Sequence, residues 1–298
     1  MRRLKERKPG ILVDVTVRCH RSEFRFVPTP ERVTLVSYFL ARALGLFDGI
    51  VLYAVVEMSN HIHLVIEDRK GQLSDFMREF EGHLAKSINR LDGVRGAVFE
   101  RRFTEIEILD EHSLVRRIAY ALCNPLEANL VRRRHEWKGL CLGGQEGTIR
   151  TTVSYFNEPC FRRAVRDANR KLEPDPNAVD PHEFMQTAVL TVHPLPDPEL
   201  QAALETELRA RERELRATHR GILGMKKVLA ESPLHRPKFT KRKRRPLCFV
   251  STADARYAYL HHVRAFAAAF RAASQAFRAG QLDALFPRHS FRPSAPSG

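Results

Sequence analysis

The sequence predicts an α+β fold: a ferredoxin-like antiparallel sheet with helices on one face, continued by a mainly helical C-terminal extension. Two observations predict it. Period-two apolar strands and 3.6-residue apolar stripes follow one another as β-α-β-β-α-β over roughly the first 110 residues. After about Lys138 the composition turns proline-rich and then helical and basic. The expected divisions are residues 1–140 as the sheet domain, 141–196 as a Pro-rich linker, 197–286 as a helical basic region and 287–298 as a disordered tail.

Residues 11–17 (ILVDVTV) read as the first strand. Thr29 then caps a helix opened by Pro30, with Val33, Val36, Phe39, Leu40, Ala43 and Leu44 as its stripe. Two strands, 50–57 and 61–67, are joined through Met58-Ser59-Asn60. A second helix over 72–91 carries Leu73, Phe76, Met77, Phe80, Leu84, Ile88 and Leu91, and residues 98–109 alternate as a fourth strand. Asp110 caps a further helix that runs to about Cys123. With Leu114 at zero, Ile118 and Leu122 fall within about 80° of it, while Tyr120, Asn124 and Arg117 fall at about 240°, 280° and 300°. A tyrosine, an amide and a guanidinium therefore share a face away from the apolar stripe.

The strand 61–67 carries a His-Ile-His triplet. Strand alternation sends Ile62, Leu64 and Ile66 to one face and His61, His63 and Val65 to the other. Two neutral imidazoles at adjacent same-face positions form half of a divalent-metal site, unless they are a pair of ordinary strand histidines.

In the C-terminal half, a charged helix begins at Pro198 and the stretch GILGMKKVLA follows it, a pair that reads either as a helix-turn-helix or as a packing unit. Seven Lys or Arg residues lie between Ser232 and Leu247 with no acid, including the run Lys241, Arg242, Lys243, Arg244 and Arg245. Such a run suits an arm along a phosphate backbone. Residues 254–279 read as a last helix.

Composition narrows the class. Lys plus Arg exceed Asp plus Glu by 50 to 35, a formal charge of +15, which favours a polyanionic partner. Five dispersed cysteines without a CxxC argue against a disulfide framework or a thiolate zinc site. No signal-peptide core, membrane-length apolar run, Walker-type glycine loop or DDE-type carboxylate trio stands out, so a cytoplasmic protein without a membrane partner is expected.

The blocks YAVVEMSNHIHLVIE (53–67), FERRFTEI (99–106) and YALCNPLEANLV (120–131) resemble the HUH single-tyrosine transposases of small bacterial insertion sequences, especially their REP-associated branch. The resemblance covers about residues 11–138. The family commonly carries proline where Ser59 stands and glycine where Asn129 stands. The resemblance implies that His61 and His63 are metal ligands, Tyr120 is the nucleophile and Asn124 supplies a third polar ligand. It further implies a monomer or homodimer acting on single-stranded or hairpin-bearing DNA, with Mg²⁺ or Mn²⁺ as cofactor. Attack by the phenol would leave a 5′-phosphotyrosine and a 3′-hydroxyl, so cutting and joining are one reversible exchange. Arg101, Arg102, Arg116 and Arg117 lie on elements that bring Tyr120 to the metal and are expected at phosphates, as are Arg132 and Arg133. Trp137 beside them either stacks on an unpaired base or packs. The competing expectation is a non-catalytic nucleic-acid-binding protein or repressor that uses the same domain.

Overall fold

Strand β1 (Ile11–Arg18) is followed by helix α1 (Pro30–Leu46), whose N-cap Thr29 accepts a hydrogen bond from the Arg32 amide. Strands β2 (Ile50–Met58) and β3 (His61–Asp68), helix α2 (Leu73–Leu91) and strand β4 (Thr104–Ile108) complete the first unit. Helices α3 (Glu111–Leu122) and α4 (Asn124–Glu127) lead to β5 (Cys141–Gly143), β6 (Ile149–Phe156), α5 (Glu158–Ala168) and β7 (Met185–Val192). The chain closes with α6 (Pro198–Thr218), α7 (Met225–Ala230), β8 (Cys248–Phe249) and α8 (Ala253–Arg278). This computed structural model describes residues 6–100, 102–170, 179–219, 221–237 and 245–291.

The fold is α+β. Six strands form one sheet in the order β5-β2-β3-β1-β4-β8, and β6 and β7 pair as a separate antiparallel ribbon. All neighbours in the larger sheet are antiparallel except β4 and β8. The outermost strands are short, three residues in β5 and two in β8.

Alternation along each strand separates two cores. Val13, Val15 and Val17 of β1 with Ile62, Leu64 and Ile66 of β3 face α1 and α2, where Leu40, Phe76, Phe80 and Leu84 are fully buried. Val65 of β3 and Val56 of β2 face the other way, towards Leu114, Ile118 and Leu122 of α3 and Leu204 and Leu208 of α6. Helices thus cover both faces of the sheet, where the sequence led us to expect one. The reason is that α3 and α6 bring their own apolar stripes and bury them together against β2 and β3.

Residues 141–196 also depart from expectation. Instead of a linker they hold β5 and the β6–β7 ribbon, which packs on α1. Leu190 and Val192 enter the α1–α2 core, Tyr155 stacks on Tyr38 with centroids 4.8 Å apart, and the Tyr38 hydroxyl donates to Gln186 Oε1 at 2.8 Å. Likewise α6 and β8 are built into the body and not appended to it. The α6–α7 pair is a packing unit: Val228 of α7 is buried in the α3 core, and the Leu223 and Gly224 amides donate to the carbonyls of Asn129 and Leu130. Asn129 itself has φ +53°, the left-handed backbone that asparagine tolerates better than most non-glycine residues. Within the expected tail, the His289 carbonyl accepts from the Arg7 amide at 2.9 Å. Residues 292–298 lie outside the described residues.

Candidate active site

On the α3 side of the sheet, β1 and β3 align Thr16 with His63 and Arg18 with His61. Asp14 and Thr16 of β1 therefore share a face with both histidines, and α3 crosses above them carrying Arg117 and Tyr120. The His61 and His63 rings meet edge to face with centroids 4.9 Å apart. The Tyr120 ring stands 6.1 Å from His63, also edge to face. The two imidazoles and the phenol expected from the sequence are thus brought together.

Each imidazole is held by its Nδ1. His61 Nδ1 lies 2.7 Å from Asn60 Oδ1, which as an acceptor puts the ring proton on Nδ1. His63 Nδ1 faces Thr16 Oγ1 at 3.3 Å and Asp14 Oδ1 at 3.5 Å. An Nδ1 that donates to an acceptor leaves Nε2 as the lone-pair nitrogen, the usual arrangement of metal-ligating histidines oriented by an acceptor behind them. Burial, reinforced by His63 and Arg18, drives the pKa of His61 well below its ordinary value, which favours the neutral ring, the form a metal would need. Two imidazole nitrogens side by side are a donor pair chemically suited to a divalent ion. Among the described residues no third His, Cys, Asp or Glu joins them.

Asp14 is 3 % exposed and serves two neighbours. One oxygen faces His63, and the other accepts from Arg117 Nε at 2.8 Å and from its Nη2. Burial opposes the charge on Asp14, but His63 and Arg117 together hold its pKa below the usual carboxylate value. The Arg117 guanidinium lies over the Tyr120 ring at 4.1 Å, and that of Arg211, from α6, at 5.2 Å. Burial and the charge of Glu127 raise the Tyr120 pKa, and the nearby Arg117 and Arg211 work against that rise.

The remaining expected residues are distributed more widely. Arg117, expected at a phosphate, has its Nε and one Nη occupied by Asp14, because α3 packs it over a buried carboxylate. Arg102, Arg116, Arg132 and Arg133 are exposed. Arg245 donates to Thr104 Oγ1, next to Thr16 in the sheet. Asn124 is buried at the start of α4, and its Nδ2 has no hydrogen-bond partner. Trp137 resolves to packing: it is 5 % exposed and its Nε1 donates to the Glu57 carbonyl at 2.9 Å. Arg101, Lys241, Arg242, Lys243 and Arg244 lie outside the described residues.

No protein-family model and no curated protein matches this chain. A solved structure, a REP-associated tyrosine transposase bound to a REP hairpin, is similar at 16% identity and a TM-score of 0.37. The match covers 46% of this chain and 78% of that one. A likeness that slight assigns no chemistry, which rests on the residues themselves.

Sequence reasoning missed Asp14, Arg211 and Phe249, the last of which lies 4.0 Å from the Arg117 guanidinium. Asp14 carried a signal, as the one charge inside ILVDVTV. Arg211 and Phe249 carried none, since only tertiary packing brings α6 and β8 to Tyr120.

Proposed function

We propose that this chain is a metal-dependent tyrosine transposase, a single-strand DNA endonuclease and ligase that forms a 5′-phosphotyrosine intermediate at hairpin-bearing ends. The observation that carries the reading is the approach of the Tyr120 ring to His63, with Asp14 joining that imidazole to the arginine over the phenol. The order β2-β3-β1-β4, with α1 and α2 on one face, supports reading the central unit as a ferredoxin-like split β-α-β.

In this reading His61 and His63 would hold Mg²⁺ or Mn²⁺, with Asn124 as the candidate third ligand. The ion, when bound, supplies polarisation of a phosphate oxygen. The Tyr120 Oη proton passes to water as the oxygen bonds to phosphorus; the phosphorus–3′-oxygen bond breaks, and that oxygen takes a proton from water and leaves as a hydroxyl. Arg117 and Arg211 favour the phenolate over the neutral phenol. Arg102, Arg116, Arg132 and Arg133, with Arg245 and the basic run before it, bind backbone phosphates. The partner is single-stranded or hairpin DNA, in keeping with the net charge of +15. Among the described residues no helix is long and apolar enough to cross a membrane.

The test uses labelled hairpin-containing single strands with Mg²⁺ or Mn²⁺ and a denaturing gel. Wild type is expected to give a covalent protein–DNA adduct. Tyr120→Phe is expected to abolish the adduct with binding retained, and His61→Ala to remove activity and metal dependence together. Binding without any adduct would favour the repressor-like alternative, and release of a free 5′-phosphate would point to hydrolysis.

A further inference from the structure

We propose that Phe249 is a positioning residue for Tyr120, so that the C-terminal region completes the candidate active site; this rests on the tyrosine reading above. Phe249 belongs to β8, which adds to the edge of the sheet in parallel with β4, with Ile108 opposite Phe249. The Leu109 amide donates to the Phe249 carbonyl at 2.9 Å. Two residues later, the Ser251 amide and hydroxyl both donate to Asp110 Oδ2, at 2.6 and 3.0 Å. The other oxygen of Asp110 accepts from the Ser113 amide at 2.7 Å and caps α3. One carboxylate thus ties β8 to the first turn of the helix that carries Arg117 and Tyr120.

That tie sets the Phe249 ring against the Arg117 guanidinium, 4.0 Å from its centroid, while the Tyr120 ring lies 4.1 Å from the same cation. Asp14 fixes the Nε edge of the guanidinium. Asp14 alone leaves the plane of the cation free to tilt about that edge. With two aromatic rings against it, the guanidinium is fixed in tilt as well, and its position beside the phenol is set. Arginine stacks on aromatic faces through its delocalised planar charge, so an aromatic side chain at 249 is required and an aliphatic one does not substitute for it. The 117–120 spacing on α3 places cation and phenol on one helix face. The outer ring that holds them together is supplied from more than 120 positions later in the chain.

The experiment compares wild type with Phe249→Ala, Phe249→Leu and Phe249→Tyr in the full chain. Single-turnover adduct formation at saturating hairpin DNA should slow by about threefold to thirtyfold in the Ala and Leu variants, the range of a partly desolvated cation–aromatic contact. The Tyr variant should restore the rate, and the DNA dissociation constant should stay unchanged throughout. A wild-type rate in Phe249→Ala, or an equal loss in Phe249→Tyr, overturns the proposal. A second readout needs no catalysis: the ¹⁵N–¹H resonance of Arg117 Nε, assigned by its loss in Arg117→Lys. It should shift and exchange faster with solvent in Phe249→Ala and remain near its wild-type position in Phe249→Tyr. An unmoved resonance in Phe249→Ala refutes the positioning role. If wild type forms no adduct, the tyrosine reading fails while this second readout still decides Phe249.

Discussion

Glu57 shows what single residues contribute. It is fully buried on β2, one carboxylate oxygen accepts from the Leu140 amide at 3.1 Å, and the other has no partner. Burial pushes its pKa up to about 8 from an ordinary 4.5. The folded state therefore holds a proton that the unfolded chain has released between those two values. Its contribution to stability is complete below about 4.5 and is lost as pH rises through about 8, at up to about 1.4 kcal/mol per pH unit. Glu57→Gln should remove this dependence, which urea midpoints at pH 5.5 and 8.5 would reveal as a smaller drop than in wild type. Asp14 makes the complementary point. Its charge within an apolar strand was visible in the sequence, but its partner was not, because only the pairing of Thr16 with His63 puts it behind that ring.

Asp110 and Asp92 join segments at the scale of elements. Asp110 caps α3 and fastens Ser251, so Asp110→Ala should cost about 1–2 kcal/mol from the cap alone, read as a lowered thermal midpoint. Asp92, past the end of α2, accepts from Arg25 Nε at 2.7 Å and from Arg32, all three side chains being nearly inaccessible. Asp92→Ala would leave the buried Arg32 guanidinium without its carboxylate, while Arg25 keeps Glu23 and Asn89, and chemical denaturation should register a loss of about 3–5 kcal/mol. The elements themselves were unevenly legible. The two faces of β3 followed from alternation alone, and the caps at Thr29 and Asp110 from residue type. The ribbon of β6 and β7 did not, because IRTTVSYF and MQTAVLTV alternate through Thr and Ser and a proline-rich stretch separates them. Their apolar faces acquire meaning only against α1.

Over the whole molecule, the excess of basic residues forecasts strongly salt-dependent binding of nucleic acid. Replacing the exposed Arg102, Arg116, Arg132 and Arg133 with alanine should flatten the plot of log affinity against log salt by about 0.7 for each single-strand phosphate that is no longer neutralised. A titration between 50 and 200 mM salt checks this, and an unchanged slope would place the DNA elsewhere on the surface. How the two halves of the chain combine was the least legible level, since α6 and β8 join the first 140 residues through packing that no local pattern announces. The brevity of β5 and β8 has a consequence of another kind. A sheet that ends in two or three residues on either side offers a neighbouring chain almost no row of open amides and carbonyls to copy, so β3 and its histidines stay deep within one molecule's own ladder and out of reach of fibre-like growth.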